Sequence, residues 1–226
     1  MIENNIRIYD NAMSPEDCKK IIEIFEKNKD QIEIFNTGRK EYSEIDIDNF
    51  DVLEWDKIKE NFVNMMKTYE DKFKKDMNIH KDDFPPIISM ENIRIKKYLP
   101  NDKDEFKTHV DVLRALLARR FLVYILYLTD VEEGGETYFP RQNIKVKPKE
   151  GRLVMFPPFW THPHAGLKPI KGTKYIIMSY LHYGDMVVGD VDNNYGDNLG
   201  RPARIKREGS IKQVKEADLW HKDGIE

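Results

Sequence analysis

From Asn92 onward the chain is cut into short apolar or alternating segments, rich in β-branched and aromatic residues and separated by Gly, Pro and charged clusters. Segments of this length and composition read as strands. Strands are expected near 92–98, 121–128, 144–147, 152–156 and 174–182. The turns between them include Leu99-Pro100-Asn101-Asp102, Glu133-Gly134-Gly135 and Lys149-Glu150-Gly151. Several short strands punctuated in this way point to a double-sheet barrel, and the pattern alone leaves a jelly roll and another sandwich both open.

The first part of the chain has a different texture. Ser14-Pro15-Glu16-Asp17 combines an N-cap residue, a proline at the first helical position and acidic residues in the first turn, and Ile21, Ile22, Ile24 and Phe25 supply an apolar face. A second helix is predicted between about Val52 and Met77, where Leu53, Ile58, Phe62, Met65, Met66, Tyr69 and Phe73 recur near helical spacing. The expected organisation is a helical support region over 1–90, a β core over 91–183 and a C-terminal extension over 184–226. That extension is rich in Gly, Asp, Asn and Lys and poor in apolar periodicity. The fold class is mainly β with flanking helices.

A chain of 226 residues can bury one well-packed core, and with 40% hydrophobic and 34% charged residues it should fold in water. Its net charge of −3 comes from 37 basic and 40 acidic residues mixed along the sequence, so no field favours nucleic acid as a partner. The longest apolar run, Phe121 to Leu128, is far short of the roughly 20 residues that span a bilayer, and no membrane partner is expected. Met1-Ile2-Glu3-Asn4-Asn5 lacks the basic start and apolar stretch of a secretion signal, which gives a cytoplasmic expectation. Cys18 is the only cysteine, so an intramolecular disulfide and a thiolate cluster are both ruled out and a metal would need His, Asp or Glu. Oligomeric state is not legible.

His109-Val110-Asp111 puts an imidazole and a carboxylate two residues apart, so on an extended segment both leave the same face and can grip one ion. Two histidines and one carboxylate on one side of an iron leave positions open for a co-substrate and oxygen. His162 and His164 are the downstream candidates for the third ligand. They lie two residues apart, and spacing alone separates neither from the other.

Three stretches together resemble the 2-oxoglutarate and iron(II)-dependent dioxygenases, most closely their prolyl 4-hydroxylase branch. They are His109-Val110-Asp111, the run Leu126-Tyr127-Leu128-Thr129-Asp130-Val131-Glu132-Glu133-Gly134-Gly135-Glu136-Thr137-Tyr138-Phe139-Pro140, and His164-Ala165-Gly166 with Lys174 ten residues beyond the histidine. The resemblance covers roughly Ile93 to Tyr183. It implies a double-stranded β-helix, or jelly-roll, core with Fe(II) held by His109, Asp111 and His164, which are then also the catalytic centre. It further implies Lys174 pairing with the distal carboxylate of 2-oxoglutarate, O2 as oxidant, and ascorbate as an accessory reductant. His162 lacks the ten-residue spacing to Lys174 and becomes the second choice of ligand, read first as a neighbouring pocket or surface residue.

Two departures stand out. The branch usually carries a tyrosine three residues before the first histidine, where this chain has Phe106, and a tryptophan six residues beyond the lysine, where it has Tyr180. Tyr98 or Thr137 is the expected replacement donor for the missing hydroxyl. Arg120 matches a family arginine that lines the substrate cleft, so Arg120 and Tyr180 are the candidate substrate contacts, with a solvated arginine beside Arg119 as the plainer reading. Val112 to Ala118 reads as a mobile lid or an ordinary packed loop. Phe156, Pro157, Pro158, Phe159 and Trp160 read as packing or as a peptide groove. Glu132, Glu133 and Glu136 read as a solvated turn rather than a second metal site.

The resemblance implies hydroxylation of a prolyl residue in a peptide or protein, with 2-oxoglutarate converted to succinate and CO2. Another side chain or a small metabolite is the alternative substrate. A non-catalytic metal-binding barrel and a zinc hydrolase remain the competing readings from other classes.

Overall fold

The computed structural model describes residues 5–184. β1 (Arg7–Tyr9) and α1 (Pro15–Lys27) precede a hairpin of β2 (Glu33–Asn36) and β3 (Lys40–Asp46), which leads into α2 (Leu53–Asp76). Next come β4 (Ile88–Met90), β5 (Arg94–Tyr98), β6 (Glu105–His109) and β7 (Arg120–Tyr127). The short strands β8 (Glu133–Gly134), β9 (Thr137–Phe139), β10 (Ile144–Val146), β11 (Leu153–Phe156), β12 (His164–Gly166) and β13 (Pro169–Lys171) lead to the long β14 (Lys174–Tyr183).

Twelve of these strands form one antiparallel sheet, in the order β1-β11-β7-β14-β5-β3-β6-β12-β9-β10, with β2 added beside β3 and β4 beside β14. The sheet curls, because strands far apart in that order touch across its inside. The Tyr127 hydroxyl of β7 donates to Thr137 Oγ1 of β9 at 2.5 Å, and the Phe139 and Phe156 rings, from β9 and β11, meet edge to face at 4.8 Å. This is the expected mainly-β jelly roll with helices on its outside.

The apolar runs of β7 and β14 follow from burial on both faces. Leu122, Tyr124 and Leu126 point to the helices and Val123, Ile125 and Tyr127 to the interior of the curl. In β14, Tyr175, Ile177 and Leu181 face the helices and Ile176, Met178 and Tyr180 the interior. Period-2 alternation is present, and both sets are apolar because both faces are covered. α1 buries Cys18, Ile21, Ile24 and Phe25, and α2 buries Trp55, Ile58, Phe62, Met65, Met66 and Phe73 against the outer face. Each large apolar side chain contributes about 1.5–3 kcal/mol on burial.

Ser14 caps α1 as expected, its hydroxyl accepting from the Asp17 backbone N–H at 3.1 Å with Pro15 following. Replacing Ser14 with Ala should lower unfolding stability by about 1 kcal/mol, read as a lower urea midpoint with unchanged slope.

Residues 1–90 are not only a helical support. β3 lies between β5 and β6 in the middle of the sheet, β1 extends it beyond β11, and β4 flanks β14. The segment 33–46 escapes a strand reading because its inward positions include the charged Glu44, which pairs directly opposite Lys96 of β5. The predicted extension over 184–226 lies outside the described residues beyond Gly184. Among the described residues, no helix is long and apolar enough to cross a membrane.

Candidate metal and co-substrate site

β6 ends on His109 and β12 begins on His164, and the two are direct cross-strand partners. Asp111 follows just past β6, where its backbone N–H and that of Val112 both donate to the Pro158 carbonyl at 3.2 Å. One histidine therefore comes from each strand, and a loop tie holds the carboxylate between them. Ligand-capable atoms of His109, Asp111 and His164 lie within 4.8 Å of one another, and all three residues are buried. His109 Nε2 is 3.4 Å from Asp111 Oδ1, and His164 Nε2 is 3.6 Å from Asp111 Oδ2.

The far ring nitrogens settle which lone pairs face inward. His109 Nδ1 lies 2.8 Å from the Lys107 carbonyl and His164 Nδ1 lies 3.1 Å from the His162 carbonyl. A carbonyl only accepts, so each Nδ1 carries a proton and each Nε2 is the nitrogen left for the centre. Burial pulls the His164 pKa down to about 4, against the opposing pull of Asp111, which keeps this ring neutral at neutral pH. Burial alone would raise the Asp111 carboxyl, but His164, His109 and Arg120 together hold it well below the usual carboxylate range. Asp111 Oδ2 is buried without a hydrogen-bond partner. Two imidazole Nε2 atoms and one ionised, under-partnered carboxylate suit a divalent iron and leave room for other ligands.

His162 is not part of this cluster. Its Nδ1 meets the Thr161 hydroxyl at 2.8 Å and its Nε2 is buried without a partner. Replacing His162 with Asn should leave bound-iron stoichiometry unchanged, whereas His164→Asn should lower it, as read by metal analysis after gel filtration. Loss of iron in both would mean that the two histidines share the site.

The same cavity holds Lys174, which is 2% exposed at the start of β14. Burial depresses its pKa to about 7, with Glu136 raising and Lys96 further lowering it. Its Nζ sits 4.9 Å from the Tyr98 ring centroid and 5.7 Å from that of Tyr127, and it makes no hydrogen bond among the described residues. Gly166 leaves space beside it, since an added Cβ there would stand 3.7 Å from Nζ. Tyr98 and Thr137 both line the cavity. Thr137 accepts from Tyr127, so its own hydroxyl proton is available to a ligand. Phe106 brings no donor, its ring stacking on His109 at 3.5 Å between centroids.

Arg120 is not the solvated arginine of the plainer reading. Glu91 takes its guanidinium at 2.5 and 2.7 Å, its Nη1 donates to the Asp111 carbonyl at 3.3 Å, and it stacks 4.0 Å over the Tyr180 ring. Sequence reasoning missed Glu91, because a partner 29 residues away leaves no local signal. It also missed Lys96, whose spacing of two from Tyr98 was the available clue. Of the aromatic approach to His164, Phe156 is core packing, with its ring 4.8 Å from that of His164, while Trp160 is 69% exposed. The stretch after Asp111 forms a short 3-10 turn at Ala115–Leu117, with Leu113 exposed. Glu132 and Glu133 are exposed, with Glu132 paired to Lys171, and no second metal-ligand cluster occurs among the described residues.

Comparison with known proteins bears on the same region. Residues 93–182 match the family model described as the 2OG-Fe(II) oxygenase superfamily. The chain is 27% identical over 118 residues to prolyl 4-hydroxylase 13 of Arabidopsis thaliana, a match covering 40% of this chain and 42% of that protein. It thus spans less than half the length of that relative. In fold it is similar to a viral collagen prolyl hydroxylase from Paramecium Bursaria Chlorella virus-1, solved as a 2OG complex. The TM-score is 0.61 at 19% identity, covering 80% of this chain and 97% of that one. A prolyl hydroxylase from Trichoplax adhaerens, solved with a hypoxia inducible factor peptide fragment, gives a TM-score of 0.61 at 15% identity over 80% of this chain and 84% of the other.

Proposed function

We propose, from the premise that residues 93–182 form a 2OG-Fe(II) oxygenase domain of the prolyl 4-hydroxylase-like branch, that this chain hydroxylates a proline in a peptide or protein substrate. The observation that carries the reading is the coexistence of two features in one cavity: the buried His109, Asp111 and His164 cluster, and the ammonium of Lys174. A purely structural metal site has no use for a buried lysine beside it, and burying that charge unpaired is costly. A dicarboxylate bound at both ends explains both.

Fe(II) and 2-oxoglutarate, when bound, supply the oxidising chemistry, in which O2 is consumed, succinate and CO2 are released and one oxygen atom enters a substrate C–H bond. His109, Asp111 and His164 would hold the metal. Lys174 would receive the distal carboxylate, with the Thr137 hydroxyl as a further donor. Arg120, fixed by Glu91 and Tyr180, steadies the backbone of Asp111 and is assigned, with Tyr180, to contact the substrate. The apolar walls, Ile125, Ile176 and Met178, exclude water while the substrate is positioned.

The test is succinate formation under O2 with peptides that contain proline or lysine, followed by tandem mass analysis. A proline-containing peptide should stimulate turnover and gain one oxygen on its proline. Stimulation by the lysine peptides alone would move the substrate to another side chain. Turnover that no peptide stimulates would favour a small metabolite.

A further inference from the structure

A second buried lysine lines the same cavity, and the reading above gives it no role. β5 lies between β14 and β3, and its Lys96 faces Ile176 on one side and Glu44 on the other. Side chains two apart share a face, so Lys96 and Tyr98 both point into the curl, and Tyr98 is the direct partner of Lys174. Lys96 and Lys174 are therefore diagonal neighbours on one cavity wall.

Lys96 Nζ lies 3.2 Å from Glu44 Oε2 and donates to the Tyr42 hydroxyl, also at 3.2 Å. An ammonium has three donors. These two partners leave the third without one among the described residues. Glu44 does not serve Lys96 alone, because Arg94 Nε approaches its other oxygen at 3.8 Å. Lys96 is 7% exposed, and its Nζ stands 5.8 Å from the ring centroid of Phe106, the side chain that brings no hydroxyl to this cavity.

We infer that Lys96, held in place by Glu44 and Tyr42, is a second cation for the distal carboxylate of 2-oxoglutarate, supplying beside Lys174 the donor that Phe106 lacks. The inference rests on the 2-oxoglutarate reading of the cavity. It deepens that reading by making the pocket selective for a dicarboxylate through two ammonium groups. Glu44 and Tyr42 are positioning residues, since they fix the ammonium and are not required to touch the ligand.

The test is calorimetric titration of the full chain, loaded with Mn(II) so that no turnover occurs. Two ligands are compared: 2-oxoglutarate, and 2-oxobutyrate, which keeps the oxo-acid end and lacks the distal carboxylate. Lys96→Met leaves Glu44 facing an apolar side chain, so a Lys96→Met/Glu44→Gln variant is measured beside it to remove that unpaired charge. Loss of a charge-assisted hydrogen bond predicts that both variants bind 2-oxoglutarate about tenfold or more weakly, with 2-oxobutyrate affinity unchanged within about twofold. The inference is overturned if the double variant keeps wild-type affinity for 2-oxoglutarate, or if both ligands weaken equally, which marks a structural role. Wild-type protein that binds Mn(II) but no 2-oxoglutarate would overturn the reading of the cavity itself.

Discussion

Asp111→Ala is expected to reduce succinate production by more than about a hundredfold while leaving the chain folded; removing a direct ligand should exceed the 10–100-fold cost typical of losing an outer-shell partner. Asp111 supplies the only anion of the cluster, beside the His109 imidazole and a His164 imidazole that burial keeps neutral. Without it, two imidazole nitrogens must hold a divalent ion, and both metal affinity and turnover should collapse. Folding should not suffer in the same way. In the metal-free chain deleting the carboxylate loses the attraction of His164, His109 and Arg120 but also removes a buried acceptor, Oδ2, that has no hydrogen-bond partner, so the two effects oppose one another. The measurements are bound iron per chain, succinate formed under O2 and the urea midpoint. A variant that keeps a tenth of wild-type turnover would show that Asp111 is not a metal ligand. His109→Ala and His164→Ala should lose iron and turnover in the same direction.

Lys174→Met should separate binding from stability. Truncating one partner of a buried charge pair typically costs about 2–5 kcal/mol, so affinity for 2-oxoglutarate should fall by roughly 30-fold to several thousandfold. The ligand-free variant should meanwhile be more stable than wild type at neutral pH and below. The sign follows from the proton balance. Burial lowers the folded-state pKa of Lys174 from 10.5 to about 7, so between these values the unfolded chain binds more protons and stability rises with pH. The penalty for burying the charge is complete below the folded pKa and relieved towards the unfolded one, with an upper bound of about 5 kcal/mol. The gain from Lys174→Met should therefore be largest in acid and shrink above neutrality, as read by urea unfolding across pH. A variant destabilised at every pH, with unchanged 2-oxoglutarate affinity, would make Lys174 a packing residue.

The readable part of this molecule is the part whose physics is local. β7 and β14 stand out in the sequence because both of their faces are buried, leaving a continuous apolar run in β7 and one broken only by Ser179 between Tyr175 and Leu181 in β14. α1 announces itself through Ser14 and Pro15, which act within one turn. The pairing of His109 with Asp111 is legible because two residues along an extended segment is a local relation. Its partner His164 could be chosen over His162 only through the resemblance to a known family, since the register that sets His164 against His109 is tertiary.

The unread elements fail for equally definite reasons. β3 carries Glu44 inward, and the charge is tolerated only because Lys96 stands opposite on a strand 52 residues later. β8, β9, β12 and β13 are two or three residues long, too short to display a period. Arg120 could be picked out by position, but its role depends on Glu91, Tyr180 and the Asp111 carbonyl, which come from three other segments. Lys96 with Glu44, and Arg120 with Glu91, are pairings across the sheet or between segments, and no short window along the chain contains both partners.

The central claim is that His109, Asp111, His164 and Lys174 form one site for Fe(II) and 2-oxoglutarate. Its most direct test is a crystal structure of the chain prepared without oxygen, with both compounds present and diffraction measured on either side of the iron absorption edge. The account predicts an iron peak bounded by His109 Nε2, His164 Nε2 and the Asp111 carboxylate, with the distal carboxylate of 2-oxoglutarate on Lys174. Iron held by His162 in place of His164, or a distal carboxylate turned away from Lys174, would contradict it.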